Sequence, residues 1–274
     1  MIEGLILIGG GIAAGLFGSL LGLGGGILIV PLLTLGFNLP LLTAVGVSLV
    51  CVIVTSGASA GVYLERRVAN LRLGMVLELF TAIGALGGGL AAFILPEALL
   101  ELLFAALLLY VAVTMARRSD PPPATEDLTT SGPDAAATPD RSFLATLSGP
   151  GYRVRNLRFG LVGSVVAGIT SALLGIGGGL VKVPVMHVIM GVPLRVATAT
   201  SNLMIGITAS ASAIIYLLRG GIDPYVASPT AVGVFVGASI GSRIAHRIQL
   251  RVLRALFVAI LLYTSWQMLQ RALA

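Results

Sequence analysis

Charge is scarce in this chain. Seventeen Lys and Arg and eleven Asp and Glu make up 10% of its 274 residues, against 57% hydrophobic, and the mean hydropathy is +1.02. A soluble globule of this length needs far more polar surface to cover its core, so an all-α polytopic membrane protein is expected. Cysteine is nearly absent. Cys51 stands alone in an apolar run, which excludes an intrachain disulfide and reads as an inert buried thiol. The two histidines, His187 and His246, have no helical spacing to each other and no acid or cysteine nearby, so neither a metal site nor a cofactor is indicated. Aromatics are 6% of the chain and form no basic patch, so the net charge of +6 does not mark a nucleic-acid surface. The basic residues stand at the ends of apolar segments, as topology determinants do. No nucleophile and base stand together, and enzymatic chemistry has no positive support.

Glycine, by contrast, is abundant, with 36 residues. Ten residues from Gly22 to Pro31, GLGGGILIVP, return as GIGGGLVKVP from Gly175 to Pro184, 153 residues later. Pro40 and Pro193, Ser48 and Ser201, Tyr63 and Tyr216, Gly84 and Gly237, and Phe104 and Phe257 keep the same offset. The chain therefore reads as an internal duplication. Residues 1–118 form a first membrane repeat and residues 157–274 a second. Between them, 119–156 is a cytoplasmic linker rich in Pro, Ser and Thr, most of it expected to be disordered.

Each glycine cluster interrupts an apolar segment. Leu5 to Phe37 is 33 residues, about 50 Å as one helix against roughly 30 Å of hydrocarbon. The ten residues from Ile27 to Gly36 are too short to cross alone. Helix, glycine turn and half-helix then make a re-entrant V, followed by three spans near Leu41 to Leu64, Leu73 to Leu95 and Ala98 to Ala116. The second repeat has a V from Phe159 to Met190 and spans near Leu194 to Leu218, Tyr225 to Ser242 and Leu250 to Leu269. Charge placement favours this plan. With three crossings per half the repeats are inverted, and fourteen basic residues share one face against Arg219 and Arg271 on the other. Four crossings per half would divide them eleven to five. The basic face and the linker are then cytoplasmic and both termini outside, in a multi-pass protein of the inner or plasma membrane.

Inverted repeats bring the two V tips together near the midplane. Helix starts there expose unpaired N–H groups and positive dipole ends, and glycine lets an anion approach the backbone. The same glycines would also serve plain helix packing. The second half is the more polar: Ile29 corresponds to Lys182, Leu49 to Asn202, Val45 to Thr198 and Val47 to Thr200. A lysine so near a re-entrant tip needs an anion, a carboxylate or water, unless it snorkels to the surface. The candidate substrate site is thus Gly24, Gly25, Gly26, Ser48, Gly177, Gly178, Gly179, Lys182, Ser201 and Asn202. Serines and threonines in such helices also bond their own or neighbouring carbonyls. Glu78 reads as an interfacial partner of Arg72 ahead of a proton-accepting carboxylate.

The paired G-x-G-G-G-x-x-x-x-P segments, each opening one half of the chain, resemble the sulfite exporter TauE/SafE family. The resemblance covers both halves but not the linker. It implies a membrane permease, with sulfur-containing anions such as sulfite and sulfonates as its cargo. A secondary transporter working by alternating access between the glycine loops is the expectation, its partners a small anion, a coupling proton or ion, and the bilayer. A passive anion channel and a non-transporting scaffold are the alternatives.

Overall fold

The computed structural model describes residues 2–21, 25–65, 69–117, 147–149, 152–244 and 250–273. Gly22, Leu23, Gly24, Arg66, Arg67, residues 118–146, His246 and Arg247 lie outside the described residues. Ten α-helices carry the fold among the described residues. They are α1 (Ile2–Leu21), α2 (Gly26–Gly36), α3 (Leu41–Glu65), α4 (Leu71–Ala92), α5 (Glu97–Arg117), α6 (Leu157–Leu174), α7 (Gly179–Pro184), α8 (Leu194–Leu218), α9 (Pro224–Ile244) and α10 (Leu250–Leu273). A π-helical turn, Val185–Ile189, continues α7. Beyond them there is one isolated β-bridge, Gly149 to Tyr152.

Both breaks expected from the glycines are present. Gly25 and Gly178 sit immediately before α2 and α7 with φ of 74°, a left-handed conformation that side chains with a Cβ rarely adopt. Each short helix then meets its proline at the same position, Pro31 or Pro184, where the ladder loses a donor. α2 stays α-helical through Pro31, whereas α7 widens into the π-turn directly after Pro184.

Six described helices are long and apolar enough to cross a membrane: α1, α3, α4, α5, α6 and α8. The sequence reading counted α9 and α10 as spans and treated α1 and α6 as arms of a V. The arms, at 20 and 18 residues, are themselves of spanning length. α9 and α10 carry more polar residues, among them Arg243 and Arg271 in their last turns. Many large apolar side chains point outward, including Leu5, Met75, Leu79, Ile94 and Leu218. This is the surface a lipid-embedded bundle presents.

Glycines set how the helices pack. A Cβ at Gly233 would collide with the Ile8 carbonyl and one at Gly237 with the Ile12 carbonyl, so α1 and α9 run in the same direction, backbone against backbone. Gly84 lies on Val165 and Gly88 on Ile169, so α4 and α6 do the same. The central pair is antiparallel. Gly46 near the start of α3 meets Gly221 just past the end of α8, and Ser56 reaches back to Asn202 and Gly206. α5 and α10 are also antiparallel, since Arg271 stands by Glu101 while Ser265 bonds the Ala105 carbonyl. Within the first broken segment Gly10 faces Leu32 and Gly25 faces Ala14, so α2 doubles back along α1.

The helix ends are tied by charge. Glu97 Oε1 accepts from the Leu41 N–H at 2.6 Å and so caps α3, while Arg271 Nη1 donates to the Thr34 carbonyl at 2.6 Å near the end of α2. The last part of the stretch assigned to the linker is packed: Leu147 and Val154 are buried, and the Leu147 carbonyl accepts from Asn70 Nδ2 at 2.8 Å.

Candidate site at the crossing of α3 and α8

The two glycine loops meet where α3 crosses α8. A Cβ at Gly26 would strike the Gly175 carbonyl and crowd Val52 and Ser48. One at Gly177 would strike Ile205 and crowd Val52. Val52 and Ile205 are themselves 153 residues apart, so the crossing falls on equivalent positions of the two helices. Ser48 stitches the loops together. Its hydroxyl stands 2.7 Å from the Gly175 carbonyl and 3.2 Å from the Gly26 carbonyl.

Its counterpart behaves differently. Ser201 is fully buried, and its Oγ has no hydrogen-bond partner; the same is true of Ser171. Both flank the start of α7. A Cβ at Gly178 would stand 3.3 Å from Ser171 Cβ, and one at Gly179 would stand 3.4 Å from Ser201 Oγ. The Val181 and Lys182 N–H groups both turn to the Gly178 carbonyl. The first-turn N–H groups of Gly179 and Leu180 have no acceptor within their own helix. Two unpaired buried hydroxyls therefore stand beside a glycine-only helix start, and a buried polar group without a partner costs about 1 to 3 kcal/mol. Ser171 was missed from the sequence because its counterpart is Gly18, so no repeated hydroxyl marks the position.

Gly25, Gly26, Ser48, Gly177, Gly178, Gly179 and Ser201 are thus gathered at one crossing, while Gly24 lies outside the described residues. Asn202 is buried one residue on from Ser201, and its carbonyl accepts from Ser56 at 2.8 Å. Thr200 serves the loop before α4, accepting the Asn70 N–H at 2.9 Å.

Lys182 is directed elsewhere. It is 1% exposed and does not snorkel; its Nζ lies 2.8 Å from Glu78 Oε2 and 2.6 Å from Thr208 Oγ1. Thr208 donates in turn to Glu78 Oε1 at 2.6 Å. Glu78 is accordingly the partner of Lys182 rather than an interfacial partner of Arg72, which is exposed. A carboxylate is thus a partner that settles the buried lysine. One signal for this was available: Lys182 is the sole lysine, and an acid and a base each set inside apolar segments neutralise one another at least cost.

Beside this cluster a cavity of about 350 Å³ runs between α4 and α8. Leu71, Met75 and Leu79 line it from α4 and Leu203 and Ile207 from α8, with Glu78 and Thr200 its polar members. Among the described residues no group of His, Cys, Asp and Glu is arranged to hold a metal.

The helical membrane architecture agrees with what a comparison of sequences finds. The family described as Sulfite exporter TauE/SafE matches residues 7–268. The chain belongs to that family. Among its relatives is the Probable membrane transporter protein YunE of Bacillus subtilis (strain 168), 23% identical over 276 residues and 97% of each chain. Another is the Probable membrane transporter protein YdhB of the same organism, 26% identical over 227 residues, covering 82% of this chain and 83% of that one. No solved structure matches. This TauE/SafE chain is a multi-pass membrane protein and a membrane permease.

Proposed function

We propose that the permease is a secondary transporter of small sulfur-containing anions, oxyanions or organosulfonates, which bind between the glycine loops and cross by alternating access. The observation that carries this reading is the pair of unpartnered buried hydroxyls, Ser171 and Ser201, beside the Gly178 and Gly179 start of α7. A tetrahedral oxyanion supplies acceptors for hydroxyls and first-turn N–H groups together, and the helix dipole favours its charge. The family name, Sulfite exporter TauE/SafE, supplies the chemical class.

We also read the chain as an inverted repeat with re-entrant first segments. The helix directions support it: α3 and α8, equivalent by the 153-residue offset, are antiparallel, as are α5 and α10. Halves with an even number of crossings would make both pairs parallel. The packing also maps onto itself under the offset, α1 with α9 becoming α6 with α4. α2 and α7 are then the returning arms of the two Vs, and the face bearing Arg72, Arg117 and Arg158 is cytoplasmic.

A thermal-shift screen of the purified protein against sulfite, thiosulfate, sulfate and methanesulfonate, with chloride as control, tests the site. A ligand at about 100 times its Kd stabilises the folded state by about 2.7 kcal/mol. At least one sulfur anion should raise the unfolding midpoint while chloride does not. Ser201→Ala should weaken that shift. If none of the four anions shifts the midpoint, the anion reading is wrong.

A further inference from the structure

We infer that Glu78, Lys182 and Thr208 form a proton-coupling site that takes up one proton with each singly charged anion admitted to the loops. The inference rests on the loop-site reading above and adds a coupling ion and the residues that carry it.

The cluster is built from three elements. Glu78 lies about two turns into α4, Lys182 on α7 and Thr208 within α8, and their exposures are 5%, 1% and 0%. The sequence offset shows that this arrangement occurs once: the counterparts of Glu78 and Lys182 are Ala231 and Ile29, and only Thr208 has a like counterpart, Thr55. Packing alone would not require such a one-sided cluster.

Charge balance gives it a task. With no anion bound, carboxylate and ammonium cancel and the buried site is neutral. Lys182 stands three residues after the loop glycine Gly179. An anion arriving at the loops would leave the buried region with a net negative charge, which is costly in a low-dielectric interior. Neutrality returns if Glu78 takes up one proton from water. The proton forms a bond to a carboxylate oxygen, and the ammonium charge of Lys182 is left to balance that of the anion at the loops. Release of the anion reverses each step and returns the proton to water. Thr208, now donating to Glu78 Oε1, can accept from the protonated acid instead.

Glu78 borders the groove between α4 and α8, which follows Leu71, Gly74 and Met75 from the first turn of α4 and is lined almost wholly by apolar side chains. The charged residues carried by the elements packed against the cluster are Arg72 on α4, Arg158 at the start of α6 and Arg219 at the far end of α8. His187, on the π-turn after α7, is exposed and engaged through Nδ1 with the Val192 carbonyl at 2.9 Å.

Calorimetric titration of the purified protein with methanesulfonate, an anion that carries no proton of its own, reads the coupling directly. Repeating it in buffers of different ionisation enthalpy gives the protons taken up on binding. The expected result is about one proton per methanesulfonate, with affinity falling about tenfold per pH unit across the range of uptake. In Glu78→Gln the uptake should drop to near zero and the affinity should become independent of pH. Should that variant fail to fold, the doubly neutral Glu78→Gln/Lys182→Met protein carries the test, with binding weakened and no uptake. Methanesulfonate binding without proton uptake in the unaltered protein, or unchanged uptake in either variant, overturns the coupling and leaves the loop site standing. Absence of binding by methanesulfonate, sulfite, thiosulfate and sulfate alike overturns the loop site and the coupling together.

Discussion

Ser48 on α3 holds the Gly175 carbonyl at 2.7 Å, a bond between residues 127 apart that joins one glycine loop to the helix following the other. That carbonyl lies in the apolar interior, where water cannot replace a lost donor. Ser48→Ala should therefore lower stability by about 1 to 3 kcal/mol, seen as a fall in the thermal midpoint of the purified protein. Ser210→Ala is the control. Its hydroxyl bonds only the Gly206 carbonyl of its own helix, at 2.8 Å, and its loss should change the midpoint little.

The glycines divide into those that touch backbone and those that do not. Gly26→Ala would drive a methyl into the Gly175 carbonyl, and Gly84→Ala would drive one into Val165. Each should cost several kcal/mol or prevent expression of folded protein, since overpacking of this kind costs about 1 to 3 kcal/mol even where side chains can yield. Gly87→Ala, on α4 with open space around it, should be neutral or slightly stabilising. Size-exclusion profiles and thermal midpoints of the three variants check the contrast.

Lys182 and Glu78 should be strongly non-additive. Lys182→Met leaves a buried carboxylate with only Thr208 beside it, a loss of about 3 to 5 kcal/mol. Adding Glu78→Gln should recover most of it. A double-mutant cycle on thermal or denaturant stability measures this, and additive effects would mean that the pair contributes little.

Topology can be read by labelling. In a Cys51→Ala background, single cysteines at Glu3 and Asp223 should react with an impermeant thiol reagent added outside intact cells. Arg72→Cys and Arg158→Cys should react only after permeabilisation. Reaction of Glu3→Cys and Asp223→Cys from opposite sides would refute the inverted arrangement.

The sequence located both helix breaks and most helix ends to within a few residues, because glycine clusters, prolines and apolar runs are local signals. α8 begins and ends where the apolar pattern does, at Leu194 and Leu218. Pairing between distant helices is not a local property. Nothing near Glu78 identifies Lys182, 104 residues away, as its partner, and nothing near Ser48 shows that its hydroxyl serves a loop from the other half. The packing role weighed for membrane serines holds for Ser48, whereas Ser201, its equivalent, has the unpaired hydroxyl. That difference comes from which carbonyls each helix happens to face.

The same-direction seams, α1 on α9 and α4 on α6, each join a helix from one half of the sequence to a helix from the other. With carbonyls resting on glycine Cα atoms, neither seam can slide without prising backbones apart. On the alternating-access reading proposed above, the two halves of the sequence are therefore not the two moving halves. On that reading α1 with α9, and α4 with α6, each move as one unit. Glu78, Lys182 and Thr208 tie α4, α7 and α8 to one another. The Ser48 to Gly175 and Ser56 to Asn202 bonds join α3 to the second glycine loop and to α8, and a rocking stroke of that kind would have to break and remake them.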